Sequence, residues 1–219
     1  MSAQLEFADN PEDRCPVVLL LDTSGSMMEE GKIDALNNGI VQFKSDVLAD
    51  KIASLRVEIS IITFGGSVQV VHEFATADKL SFQPFQPMGN TPLGEAVNAA
   101  LDEIEVRKAE YKNGGVNYFR PWVWLMTDGE PTDEWQAAAA RARQAANEKK
   151  VQLFCVGVGR GANMNVLREF SNSPPMQLDG LQFSEMFRWL STSLSRVSQA
   201  KAGDPVALPP VQGWGTVFA

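Results

Sequence analysis

Histidine occurs once in this chain and cysteine twice, and no apolar run reaches the roughly 20 residues that a membrane-spanning helix requires. Each scarcity excludes something. Cys15 and Cys155 alone make no disulfide framework, and because each touches an apolar, strand-like run, both read as reduced core residues. A hydrolase triad would have to use His72, which falls on an alternating strand pattern and reads as a strand-surface residue rather than a base. Basic residues are also outnumbered: 19 Lys and Arg face 27 Asp and Glu, for a formal charge of -8. Phosphate backbones and anionic lipid are repelled by that balance, so no nucleic acid and no membrane is expected as a partner. Met1 to Asp13 is polar and acidic and lacks the basic and apolar regions of a signal peptide. A cytoplasmic location is the resulting expectation.

What is present is ordinary globular composition, 44% hydrophobic over 219 residues, long enough to bury one substantial core. Pro16 to Leu21 is a short, continuous apolar run, the pattern of a strand buried on both faces of a parallel sheet. Leu36, Ile40, Phe43 and Val47 then recur at helical spacing. Arg56 to Phe64 alternates, with Val57, Ile59 and Ile61 inward and Glu58 and Ser60 outward, and turns through Gly65-Gly66-Ser67 into a second alternating run, which predicts a hairpin. A loop leads to a helix from Pro92; Pro121 to Met126 and Val151 to Val158 are further buried strands, separated by the alanine-rich helix Trp135 to Lys149. Asn163 to Phe170 reads as a short helix, Pro175 to Leu178 as a short edge strand, and Gln182 to Gln199 as an amphipathic closing helix.

Alternating strands and helices with one hairpin predict an α/β fold: a doubly wound open sheet, mostly parallel with one antiparallel edge strand, and helices on both faces. The expected organisation is a lead over 1–13, one domain over 14–199, and a Pro/Gly-rich extended tail over 200–219. The tail is more apolar than a spacer needs, carrying Val206, Leu208, Val211, Trp214, Val217 and Phe218.

In such a sheet, ligands bind beyond the carboxyl ends of the strands. The residues there are Asp22-Thr23-Ser24-Gly25-Ser26 after the first strand, Thr127-Asp128-Gly129 after the fourth, and Gly89-Asn90-Thr91-Pro92-Leu93-Gly94 before the second long helix. Carboxylate and hydroxyl oxygens without His or Cys suit Mg²⁺, Mn²⁺ or Ca²⁺ rather than zinc or copper. A lone Asp-x-Ser-x-Ser after a strand is ordinarily a helix cap and turn; Thr91 and Asp128 on the matching predicted elements turn the reading toward a metal. Gly157-Val-Gly159-Arg-Gly161 lacks the Lys-Ser/Thr of a phosphate loop and reads as a strand-end turn.

Asp22-x-Ser24-x-Ser26 with Thr91 and Asp128-Gly129 resembles the metal-ion-dependent adhesion site of von Willebrand factor type A domains, and the resemblance covers roughly residues 14 to 199. It implies Ser24 and Ser26 as direct hydroxyl ligands, Thr91 as a direct ligand when a partner is bound, and Asp22 and Asp128 acting through coordinated water. Mg²⁺ suits this, with Mn²⁺ or Ca²⁺ as substitutes. Within the family, Leu20-Leu-Asp-Thr-Ser-Gly-Ser-Met27, Arg120-Pro-Trp122, Leu125-Met-Thr-Asp-Gly-Glu-Pro-Thr-Asp133 and Phe187-Arg-Trp189 are similar to bacterial tellurite-resistance (TerY-type) proteins. That implies a scaffold in a stress-response assembly with a kinase or phosphatase as partner.

Two classes of function follow. One is a non-catalytic binding module in which a partner protein donates a carboxylate to the metal, rimmed by Met27, Met28, Phe85 and Met88. The alternative is a metal-assisted phosphatase or other hydrolase. Scarcity of Lys and Arg in the metal loops and the lack of an evident base favour the binding module.

Overall fold

The computed structural model describes residue 7 and residues 9–201 and 203–217. Phe218, and most of the lead over 1–13, lie outside the described residues. The elements in chain order are β1 (Cys15–Asp22), a 3-10 segment (Gly25–Gly31), α1 (Lys32–Ala49), a single turn α2 (Ala53–Arg56), β2 (Val57–Gly65) and β3 (Ser67–Thr76). Then come α3 (Leu93–Gly114), β4 (Trp122–Thr127), α4 (Gln136–Asn147), β5 (Gln152–Val158), α5 (Met164–Phe170), β6 (Met176–Leu178), α6 (Phe183–Gln199) and β7 (Gly215–Val217).

The seven strands form one sheet in the order β3-β2-β1-β4-β5-β6-β7. β1 runs parallel to both β2 and β4, β5 parallel to β4 and β6, and the hairpin strand β3 is antiparallel to β2. This is the expected doubly wound open sheet. The alternating faces of β1 explain its two layers. Val17, Leu19 and Leu21 pack with Ile40 and Phe43 of α1 and Phe187 and Leu190 of α6, whereas Val18 and Leu20 pack with Leu93 and Val97 of α3, Ala139 of α4 and Leu167 of α5. Side chains on a strand point alternately to opposite faces, so a continuous apolar run is what two covered faces require. No helix among the described residues is long and apolar enough to cross a membrane.

Two expectations about strands need correction. Glu58 and Ser60 do not face outward; both are fully buried, because the second face of β2 is covered by α3. Glu58 is satisfied there by Arg14 Nε at 2.8 Å, Arg107 Nε at 2.9 Å and the Tyr111 hydroxyl at 2.5 Å. β6 is not an edge, since β7, drawn from the tail, pairs antiparallel against it. The tail therefore adds a second antiparallel edge to the hairpin's. Both cysteines are free and buried, as expected, and burial pushes each thiol up to about 12.

Candidate metal centre

The sheet order reverses between β1 and β4, so the loops leaving them depart toward opposite faces and leave a crevice at their carboxyl ends. Leu21 pairs with Met126, which sets Asp22 beside Thr127 at the lip of that crevice. The Thr127 hydroxyl donates to Asp22 Oδ2 at 2.5 Å, and the Ser24 backbone N–H donates to Asp22 Oδ1 at 2.7 Å. Both oxygens of Asp22 are thus fixed. Ser24 Oγ and Ser26 Oγ lie 3.0 Å apart, and Ser26 Oγ donates to Asp128 Oδ1 at 2.5 Å.

Thr91 reaches the same space from the third loop. Its N–H donates to Thr132 Oγ1 at 3.0 Å and its carbonyl accepts from Thr132 N–H at 2.9 Å, a reciprocal pair that ties the α3 entry loop to the Asp128 loop. A Cβ placed on Gly129 would stand 3.8 Å from both Ser26 Oγ and Thr91 Oγ1. The two hydroxyls therefore face one small space that glycine leaves open. Gly25 N–H to the Gly89 carbonyl, 3.0 Å, and Met88 N–H to the Thr23 carbonyl, 2.8 Å, lace the remaining loop to the Asp22 loop.

All five residues named from the sequence, Asp22, Ser24, Ser26, Thr91 and Asp128, are thus brought to one crevice. Among the described residues no group of three or more His, Cys, Asp or Glu side chains gathers, so any cation here would rest on two carboxylates and three hydroxyls. That donor set fits a hard divalent ion. Electrostatics agrees: burial pushes the Asp22 carboxyl above its ordinary value, hydrogen bonds from Ser24 and Thr127 pull it back, and the nearby Asp128 charge raises it again. A cation would relieve that crowding.

The rim divides. Met28 and Met88 are exposed, at 68% and 64%. Met27 and Phe85 do not belong to a rim: Met27 is buried in the core, and Phe85 is stacked on Phe82 with its backbone clasped at both ends by the Asn37 amide. The three metal loops themselves carry no Lys or Arg, as expected, but a cation reaches them from the neighbouring helix. Lys32, the first residue of α1, is buried and sets its ammonium 2.8 Å from Asp128 Oδ2. It lies six positions beyond Ser26, on a segment read only for its apolar periodicity, and nothing in that periodicity marks it. Thr132 was equally hidden, whereas Asp133, near the metal loops, reads from the sequence as a helix-start charge. The two oxygens of Asp133 accept from Gly94 N–H and Glu95 N–H, capping α3 from a distant loop.

His72 is held on β3, its ring nitrogens against the carbonyls of Ile59 and Lys79. The turn after β5 is where Gly157-Val-Gly159-Arg-Gly161 was expected to make one, and Gly159 adopts φ +67° there.

The family model for the von Willebrand factor type A domain matches residues 17–186. Matrilin-3 of Gallus gallus is 30% identical over 122 residues, which are 53% of this chain and 26% of that protein. The chain thus spans about a quarter of that relative. Among solved structures, a von Willebrand factor type A protein from Catenulispora acidiphila superposes with a TM-score of 0.61 at 18% identity, covering 84% of this chain and 43% of that one. The pilus adhesin SpaC from Lactobacillus rhamnosus GG gives 0.68 at 14% identity, covering 84% and 31%. At such identities these two likenesses speak for the fold.

Proposed function

Because this chain belongs to the von Willebrand factor type A domain family, a family that often mediates protein–protein interaction, we propose that it is a non-catalytic, divalent-metal-dependent protein-binding module. Asp22, Ser24, Ser26, Thr91 and Asp128 hold the ion, Mg²⁺ first and Mn²⁺ or Ca²⁺ in its place. The observation that carries this reading is the convergence of three hydroxyls and two carboxylates from three separate loops on the crevice at β1 and β4. When bound, the ion supplies positive charge and an open position for a partner's carboxylate. The chain's own part is to orient: Thr127 and the Ser24 amide aim Asp22, and the Thr91–Thr132 pair sets how far the third hydroxyl reaches. Exposed Met28 and Met88 give a polarizable, adaptable rim.

The phrases around the site, from Leu20 to Met27 and from Leu125 to Asp133, support a finer reading as an adaptor of a bacterial tellurite- or stress-response assembly in the cytoplasm, with a kinase or phosphatase as partner. Hydrolysis has less support. Asp22 and Asp128 are both engaged with hydroxyls, and His72, on β3, is engaged with the backbone carbonyls of Ile59 and Lys79.

Thermal unfolding against Mg²⁺ concentration tests the metal. A ligand that binds only the native state adds about 2.7 kcal/mol at a hundredfold excess over Kd, a rise of about 5–10 °C for a chain of this size. Asp22→Ala should lose that rise. Identical melting of both proteins at every Mg²⁺ concentration would count against the reading.

A further inference from the structure

Lys32 is in the wrong place for an ordinary lysine. It is the first residue of an 18-residue helix, where the positive end of the helix dipole repels a cation, and it is 6% exposed, where desolvation penalises one. Its ammonium lies 2.8 Å from Asp128 Oδ2, 3.5 Å from the Ser26 carbonyl and 3.8 Å from Glu29. Glu29 is largely exposed, so Asp128 is the partner that matters. Asp128 is shared: Oδ1 takes the Ser26 hydroxyl and Oδ2 takes Lys32.

The turn after β5 closes over this pair. A Cβ on Gly159 would come 3.4 Å from Lys32 Cε, and one on Gly161 would come 2.7 Å from the Asp128 carbonyl. Gln177 Nε2 pins the turn through the carbonyls of Gly157 and Gly159 at 3.0 and 2.7 Å. The glycine-rich turn thus packs directly against the lysine side chain and the Asp128 backbone.

We propose that Lys32 is the resident cation of the metal site. It is a positioning residue that holds Asp128 in the metal-free protein and weakens divalent-metal binding, so that the loaded site stays cationic for an anionic partner. This rests on the metal-binding reading above. With both carboxylates ionised and Lys32 charged, the group carries one net negative charge, and a divalent ion turns it to one net positive. Without Lys32 the same ion would leave the group neutral. Like charges separated by a single carboxylate repel strongly at protein dielectric, whereas a purely structural Lys32–Asp128 pair would predict the opposite sign: removing Lys32 would loosen Asp128 and weaken the metal.

Calorimetric titration of the full chain with Mg²⁺ and with Mn²⁺ separates these. Lys32→Met, and Lys32→Gln as a variant that keeps a hydrogen-bond donor to Asp128, should bind either ion about tenfold more tightly than wild type, while their metal-free thermal midpoints fall. Equal or weaker metal binding by both variants overturns the proposal. Absence of binding by wild type and variants alike overturns the metal reading itself and this assignment with it, whereas binding gained only by the variants supports Lys32 as occupant. Acetate, the smallest carboxylate probe, should raise the midpoint of the Mg²⁺-saturated wild type more than that of either variant. An equal acetate response, its absence in all three included, overturns the anion-selecting half.

Discussion

Met27 and Met28 are adjacent in the chain and opposite in fate: one is sealed in the core under the 3-10 segment, the other stands in solvent beside the crevice. Met27→Ala should therefore cost about 2–5 kcal/mol of stability by chemical denaturation, and Met28→Ala should stay within about 0.5 kcal/mol of wild type. The sequence could place both near the site because they follow Ser26, yet not tell them apart, since a seven-residue segment broken at Glu29 and Glu30 has no period long enough to mark a face. Glu58 failed for a different reason. Alternation in β2 correctly separates two faces, but it does not say that the polar face is open, and α3 covers it. A carboxylate buried there needs partners, and Arg14, Arg107 and Tyr111 supply them from β1's start and from α3. Tyr111 bears the mark of the same cluster, its hydroxyl pushed well above its ordinary value by burial and then by the Glu58 charge. Glu58→Ala leaves two buried guanidinium groups facing a gap, and a loss of about 3–5 kcal/mol in urea unfolding is expected. The five oxygen residues were legible because type and spacing after strand ends are local; Lys32 was not, because its meaning lies in a contact with a residue 96 positions away.

Helices and strands were legible wherever an apolar period runs long enough, as in β1, α1, α3 and α6, and not where a cap or joint is made by residues far apart. The α2–α6 joint is of the second kind. Asp50 accepts from Ile52 N–H and Ala53 N–H at 2.9 Å each, capping the single turn α2, and its other oxygen accepts from the Ser195 hydroxyl and from Gln199 Nε2 on α6. Burial alone would push the Asp50 carboxyl up; the hydrogen bonds from Ser195, Ala53, Ile52 and Gln199 outweigh it and hold the group below its ordinary value. A carboxyl whose folded value is depressed stabilises the fold fully above its unfolded value, about 3.9, and that contribution disappears as pH falls through the folded value. Asp50→Asn should accordingly be less stable than wild type at neutral pH, and the two should converge as the solution is acidified below about pH 4. Urea unfolding between neutral and acidic pH measures the convergence; a constant difference across the range would mean that the joint does not depend on the Asp50 charge.

At the scale of the molecule the tail decides where the domain ends. Its Pro and Gly content announces an extended path and its apolar residues announce contact, but a three-residue strand has no periodicity from which its target could be read. The target is the far edge of the sheet. β7 pairs with β6, Trp214 is buried between Trp189 and Trp124 with ring centroids 5.6 and 6.2 Å away, and Trp189 Nε1 donates to the carbonyls of Pro209 and Pro210. Val206, Leu208 and Val211 pack on the same core layer. Removing residues 200–219 would uncover that aromatic cluster and leave β6 as a bare strand edge, which invites pairing with another copy. The truncated chain should melt well below the full chain and self-associate with rising concentration, as sedimentation would register. Trp214→Ala should cost about 3–5 kcal/mol through the cavity it leaves. Trp214→Phe should cost less, since the buried indole N–H of Trp214 has no hydrogen-bond partner among the described residues. The metal crevice lies at β1 and β4 in the middle of the sheet, three strands from β7. Trp214→Ala should therefore keep the Mg²⁺ affinity of the full chain at temperatures where it is folded, and a matched loss of affinity and stability would instead make the tail part of the site's support.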